Sequence, residues 1–342
     1  TYAGMTGMRI PSRDQFAGCF LGLCLGDALG FPVEGYPPMI CQRYVAQVLK
    51  PGLAGEWSHY PYAFGQYSDD SQLARELIQS LLACKGFDPE DYAHRIALLF
   101  KHHKIVGEGQ ATQAAAHRLL QGVPWNKAGA LPPSAGNGSA MRAAPLGLYF
   151  YNDPEPLIAA SRQQSMITHQ DPRCAAGSAV IAAAVSLALQ QETVDAHAWI
   201  GGLAQTAEKI DLAFAEQLEK LEGWLALPPE EAEPLIAQAG IEPEYETHWH
   251  GISPFVTSSV LWSLYAFLKS PEDYWETVCA AIAVGGDVDT TAAMAGAISG
   301  SFLGMTRIPG RLLEKLTDQG VWGLEQLRAL SDQLFDLKHA LA

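Results

Sequence analysis

Four short runs of the sequence carry oxygen-bearing side chains at spacings that could do chemistry. SDDS (residues 68–71) sets two carboxylates between two hydroxyls, directly ahead of an apolar helical run. GGDVDTT (residues 285–291) places Asp287 and Asp289 two apart, followed by Thr290, Thr291 and an Ala-rich run. Each has an ordinary alternative: Ser or Asp before a helix is the commonest N-cap, and acids in a first turn favour the helix dipole. A cap uses one side chain, however, and each run offers four. No Lys or Arg lies between Lys50 and Arg75, or between Lys269 and Arg307, so neither run has a neighbouring cation to neutralise it. Oxygen-only ligands suit a hard cation such as Mg²⁺ or Mn²⁺, not a thiolate–imidazole zinc site. If the two runs converge, their four Asp could hold two ions that activate water and neutralise substrate oxygens together. Spacing along the chain leaves that convergence open.

The third run is GDALGFPVE (residues 26–34). Asp27 follows Phe16, Phe20 and Leu23 at helical steps, which puts a carboxylate on the buried face of the first helix. Taken alone it reads as a structural acid bonded to nearby donors. Glu34 comes after Pro32, in a loop that can move toward a substrate; a lone loop Glu is otherwise simply solvated. The fourth run is GNGSAMR (residues 136–142), with THQD (residues 168–171) downstream. A Gly-Asn-Gly-Ser turn entering a helix offers backbone N–H groups to phosphate or hydroxyl oxygens. His169 could hydrogen-bond a phosphate ahead of a helix start. A plain turn and a structural histidine are the alternatives. His248 and His250 flank Trp249 without a third local ligand and read as loop contacts. Phe255 could stack on an adenine.

The elements that must position these groups read as helices. Ser12 is an N-cap before Phe16, Cys19, Phe20 and Leu23. Leu73, Leu77, Ile78, Leu81 and Leu82 mark a helix opening near Ser68. Ile210, Phe214, Leu218, Leu221 and Leu225 mark another, and Val256, Val260, Leu261, Leu264 and Leu268 a further one. Leu327, Leu330, Leu334, Leu337 and Leu341 mark the last. The stretches 175–189 and 292–300 are rich in Ala, Gly and Ser, which let helix backbones approach, so both read as central helices buried on all sides. No period-two alternation predicts a sheet. Pro and Gly clusters are too short for interdomain linkers, and the acidic stretch 228–246 reads as a surface insertion.

Composition bounds the function. At 48% hydrophobic and 17% charged, the 342 residues exclude wholesale disorder. The 22 Lys and Arg against 37 Asp and Glu give a net charge of −15, which opposes binding to nucleic acid or anionic lipid. An acidic chain can still hold a phosphorylated small molecule if it first holds cations. The six cysteines contain no CxxC pair and fit buried thiols in a reducing compartment. Residues 1–10 show no signal-peptide pattern, and the apolar run 174–189 is short for a membrane span. The expectation is a cytoplasmic monomer with no membrane or nucleic-acid partner. GxxxxGK[ST], HExxH and GxSxG are absent from the sequence.

In this order, GCFLGLCLGDALGFPVE, YSDDSQLA, GNGSAMRAAPLG, ITHQDP and VGGDVDTTAAMAGAISG resemble the ADP-ribosylglycohydrolase family, relatives of dinitrogenase reductase-activating glycohydrolase, over residues 16 to 304. The resemblance implies an all-α fold: one large orthogonal helical bundle over 1–342, with a core at about 12–305, C-terminal helices at 306–342 packed on it, and the metal site at converging helix N-termini. It implies two Mg²⁺ (or Mn²⁺) held by Ser68, Asp69, Asp70, Asp287, Asp289 and Thr290. Glu34, Asp69 and Asp289 then fall at the reacting centre. Gly136, Asn137, Gly138, Ser139, Met141 and His169 fall in segments that hold the distal ribose and diphosphate. Asp27 matches a structural position. The sequence departs from the family pattern at Ser68 and Ser71, where Thr is commoner, and at Val288, where a hydroxyl residue is common; the lost Thr methyl leaves a less fixed rotamer. The implied activity is hydrolysis of the C1″ glycosidic bond of ADP-ribosylated protein side chains, ADP-ribosylarginine first, with ADP-ribose as product. ADP-ribosylserine and O-acetyl-ADP-ribose are alternatives. Readings from other classes are a catalytically silent ADP-ribose-binding protein on the same fold and a metal-dependent hydrolase of another substrate.

Overall fold

The computed structural model describes residues 7–55, 57–242 and 247–340. The ends at 1–6 and 341–342, and residues 243–246 of the acidic stretch, lie outside the described residues. Among the described residues the chain is all helical: sixteen α-helices with short 3₁₀ and π turns, and only single-residue β-bridges in place of a sheet.

The first helix, Arg13–Gly30, opens on a capping box: Ser12 accepts from the Gln15 N–H at 3.2 Å while the Gln15 side chain accepts from the Ser12 N–H at 3.0 Å. It runs antiparallel to Val288–Leu303, and the two backbones touch. A Cβ on Gly18 would lie 2.2 Å from the Gly300 carbonyl oxygen, on Gly22 2.4 Å from Gly296, on Gly26 2.1 Å from Ala292 and on Gly30 2.6 Å from Val288. A glycine at every fourth position thus makes one flat stripe along the first helix. The contact brings Asp27, near the end of one helix, beside Asp289, at the start of the other.

The stretches expected to be central are so. Pro172–Gln190 and Val288–Leu303 are buried over almost their whole length. Arg13–Val33 and Pro172–Gln190 are long and apolar enough to cross a membrane, but 94% and 83% of their apolar windows are buried inside this fold. One apolar cluster extends from Phe16 to Leu334. The last helix, Leu324–Ala340, packs on the first through Phe335, edge-on to Phe16 at 5.2 Å.

Four expectations need correction. Ile210 precedes its helix, because Asp211 takes the cap position of Leu212–Trp224 and accepts from Phe214 N–H at 2.8 Å. Residues 136–142 form successive turns, and a helix begins only at Ala144. The acidic stretch is not a free insertion: Pro229–Ala237 is a helix burying Ala232 and Ile236, and the preceding Leu227 carbonyl accepts from the Tyr265 hydroxyl at 2.7 Å. Of the six cysteines, all reduced, Cys84 is exposed at a helix end.

Candidate metal centre and its cleft

The helix Asp69–Cys84 begins at Ser68, as its sequence pattern suggests, but the Ser68 side chain does not cap it. Asp27 takes that part from the neighbouring helix. It accepts Ser68 N–H at 2.9 Å, the Ser68 hydroxyl at 2.7 Å, Ser71 N–H at 3.1 Å and the Ser71 hydroxyl at 2.6 Å. Asp287, at the cap position of Val288–Leu303, likewise makes no capping bond. Its carboxylate accepts instead from Asn137 Nδ2 at 2.6 Å, which ties the glycine turn to the acidic run. Neither side chain is spent on capping, and each keeps oxygen lone pairs that a ligand can use.

The two runs converge. Carboxylate oxygens of Asp27, Asp70 and Asp289 lie within 4.8 Å of one another, and so do those of Glu34, Asp287 and Asp289. Ser68, wholly buried, reaches Asp70 at 2.9 Å and Asp289 at 3.3 Å. Asp69, Asp70, Asp287, Asp289 and Thr290 line a cleft of about 1080 Å³. Glu34 stands with them, but not on a swinging loop: Gly35 N–H donates to Gly286 O at 2.8 Å and Gly286 N–H to Tyr36 O at 2.9 Å, locking its segment to the acidic run.

No ion pair reaches these acids among the described residues. Burial, then the negative charge of Asp287, pushes Asp70 up to about 6. Burial, then Asp287, Asp70 and Asp27, pushes Glu34 up to about 9. Burial and neighbouring carboxylates raise Asp27, Asp69 and Asp289 well above the usual range, and burial raises Asp287. Asp70 Oδ2 is buried with no hydrogen-bond partner. Concentrated carboxylate oxygen, a bare buried lone pair and no counter-charge fit divalent hard cations.

The other sequence candidates sort clearly. Gly136, Asn137, Gly138, Met141, His169 and Phe255 line the same cleft. Ser139 does not: its hydroxyl is paired with Ser165 at 2.7 Å and donates to Cys174 O at 3.3 Å, so its side chain is structural. Arg173 lies over the Phe255 ring at 5.3 Å and is the one Lys or Arg on the described cleft wall. Sequence reading passed over Arg173, Glu108, Glu242 and Thr112, all lining the cleft, because each is an ordinary polar residue until the fold turns it inward. Trp249 lines the cleft, whereas His248 and His250 do not. Val288 is wholly buried, its carbonyl oxygen against Gly30 of the first helix.

Fold and site together define an all-α scaffold with a candidate hard-cation centre in the wall of one cleft. The family model for ADP-ribosylglycohydrolase matches residues 8–341. The chain is 30% identical to ADP-ribosylhydrolase ARH3 of Homo sapiens, over 87% of this chain and 88% of that protein. It is 27% identical to the ADP-ribosyl-[dinitrogen reductase] glycohydrolase of Rhodospirillum rubrum, over 91% and 92%. A solved structure described as an ADP-ribosylglycohydrolase-related protein complex aligns with a TM-score of 0.68 at 27% identity, covering 95% of this chain and 98% of that one. The chain belongs to the ADP-ribosylglycohydrolase family and is a metal-dependent hydrolase of that family.

Proposed function

We propose that the chain hydrolyses the C1″ glycosidic bond of ADP-ribosylated protein side chains, with ADP-ribosylarginine as the preferred linkage. One observation carries the reading: a single cleft joins the acidic cluster to the glycine turn, His169 and Phe255. The scissile ribose lies at the acidic end, the diphosphate along Gly136–Gly138 and His169, and the base near Phe255. Cations held by Ser68, Asp69, Asp70, Asp287, Asp289 and Thr290 would supply charge neutralisation and Lewis-acid activation at C1″. Asn137 holds Asp287 in place through its amide. Glu34 lies in the acidic cluster and is placed to hold or move a proton at the leaving atom.

The linkage follows from charge. Seven carboxylates line the cleft (Glu34, Asp69, Asp70, Glu108, Glu242, Asp287 and Asp289) against the single guanidinium of Arg173. Five of these would hold the cations or, like Glu34, a proton; Glu108 and Glu242 remain on the wall and favour a cationic guanidinium leaving group over a neutral hydroxyl. The test is incubation with ADP-ribosyl-arginine and ADP-ribosyl-serine peptides, with Mg²⁺ or Mn²⁺ and with chelator. Faster metal-dependent release from the arginine peptide is expected. Faster release from the serine peptide overturns the linkage, and release from neither supports a silent binding protein.

A further inference from the structure

His169 sits with its ring lodged against the glycine turn: a Cβ on Gly138 would lie 2.7 Å from its Cε1, and one on Gly136 3.5 Å from its Nε2. Its Nδ1 is 2.7 Å from the Thr168 hydroxyl, in the protein interior. Nε2, on the other edge of the ring, takes no hydrogen bond among the described residues, and His169 lines the cleft.

Behind Thr168 stands Arg142, which is wholly buried. Its Nε donates to Gln164 Oε1 at 2.7 Å, and its Nη2 donates to Gln164 O at 2.8 Å and to Thr168 Oγ1 at 2.9 Å. It packs on the Tyr92 ring at 5.6 Å and has no carboxylate partner among the described residues. A guanidinium only donates, so Thr168 Oγ1 accepts from Arg142. The single Thr168 hydroxyl hydrogen then has one acceptor within reach, Nδ1 of His169. A ring protonated at Nδ1 would leave that buried hydroxyl hydrogen unsatisfied, which is penalised in the interior.

We infer that Arg142 and Thr168 are positioning residues that fix His169 as its Nε2–H tautomer and so make the ring a permanent hydrogen-bond donor into the cleft. Burial, then the positive charge of Arg142, lowers His169 to about 3, so the ring stays neutral and does not shuttle protons. The ligand group beside it must present an acceptor oxygen; that this oxygen belongs to ADP-ribose rests on the proposed function.

Because removing Arg142 threatens the fold, the test uses Thr168. Thr168→Ser keeps the hydroxyl and Thr168→Val keeps the shape without it. Full-length protein labelled with ¹⁵N at histidine is examined by long-range ¹⁵N–¹H correlation, and ADP-ribose is titrated calorimetrically into each variant. Wild type and Thr168→Ser are expected to show bare Nδ1, protonated Nε2 and equal affinity. Thr168→Val, folded by its melting curve, is expected to show mixed tautomers and a dissociation constant raised about three- to tenfold. A wild-type ring protonated at Nδ1, or a valine variant that keeps the single Nε2–H form, overturns the inference. Mixed tautomers with unchanged affinity overturn the donor role. Failure of wild type to bind ADP-ribose refutes the ligand reading alone, since the tautomer is read on the free protein.

Discussion

Ser68 gives both its backbone N–H, at 2.9 Å, and its hydroxyl, at 2.7 Å, to the carboxylate of Asp27. With Ser71 donating twice more, Asp27 caps a helix to which it does not belong. Three of the four bonds fall on Oδ2, so an Asn whose oxygen takes that place keeps them. Asp27→Asn should therefore fold and lose about 1–2 kcal/mol, whereas Asp27→Ala strands the two backbone N–H groups and the Ser71 hydroxyl, leaving the Ser68 hydroxyl to Asp70, and should cost about 3 kcal/mol or more. Urea unfolding in the presence of chelator measures both. An alanine variant within about 0.5 kcal/mol of wild type would show the bonds to be incidental.

Gly26 offers a test of the helix contact that holds the two acidic runs together. An added methyl would meet the Ala292 carbonyl oxygen at 2.1 Å and its carbon at 2.6 Å, and backbone cannot rotate aside as a side chain can. Gly26→Ala should force the helices apart, cost about 3 kcal/mol or more, and weaken Mn²⁺ binding, because Asp27 and Asp289 sit on opposite partners. Gly201→Ala, inside the helix Ala196–Glu208 with nothing within 4 Å, is the control and should leave Mn²⁺ affinity unchanged and raise the melting temperature slightly. Equal melting temperatures and Mn²⁺ affinities for the two variants would dismiss the contact as the frame of the site.

Much of this was legible in the chain. The helical repeats from Phe16 to Leu23 and from Val256 to Leu268 fall on observed helices, since an apolar stripe states directly which face is buried. The acidic runs were visible because four oxygens at one helix start exceed what a cap can use. Asp27 was placed correctly on a buried face and as a structural acid, but not with these partners, because its four donors come from residues about forty positions away. The glycines at 18, 22, 26 and 30 were in plain view, yet a stripe of glycine does not name the helix it will touch. Ser139 misled for the converse reason: its motif lies at the cleft, but its own hydroxyl turns back to Ser165. The Arg142–Thr168 relay needed distances, since no spacing distinguishes it from an ordinary turn.

Divalent metal should stabilise the fold increasingly as pH rises. Each raised carboxylate binds its proton more tightly folded than unfolded, so its contribution is complete below its ordinary value and is lost as pH climbs through the raised one. Asp70 at about 6 and Glu34 at about 9 place that loss between about pH 4 and 9. His169 acts oppositely, but only between about 3 and its ordinary 6.5. From about pH 6.5 to 9, then, the chelated protein should melt progressively lower. Mn²⁺ competes with protons for the same oxygens, so the gap between metal-loaded and chelated melting temperatures should widen over that range. A chelated melting temperature that stays level or rises from pH 6.5 to 9 contradicts the buried-acid account.

Glu34 separates binding from chemistry. It shares a carboxylate cluster with Asp287 and Asp289, yet it enters from the turn after the first helix and not from either acidic run. Backbone bonds between Gly35, Tyr36 and Gly286 hold it there, so its role is exercised in place. Glu34→Gln preserves shape and hydrogen bonding but removes the titrating proton. If Glu34 delivers a proton at the scissile bond, turnover should fall about a hundred- to ten-thousand-fold, the usual contribution of a general acid or base. ADP-ribose and Mn²⁺ affinities should change little. Were Glu34 instead a permanent metal ligand, both affinities would fall with turnover; were it only a solvated acid, none of the three would move. Calorimetric titrations of Mn²⁺ and ADP-ribose into Glu34→Gln, beside a single-turnover assay on ADP-ribosyl-arginine peptide, resolve the three cases. Full activity in that variant would falsify the catalytic assignment, because nothing else in the substitution alters the cleft.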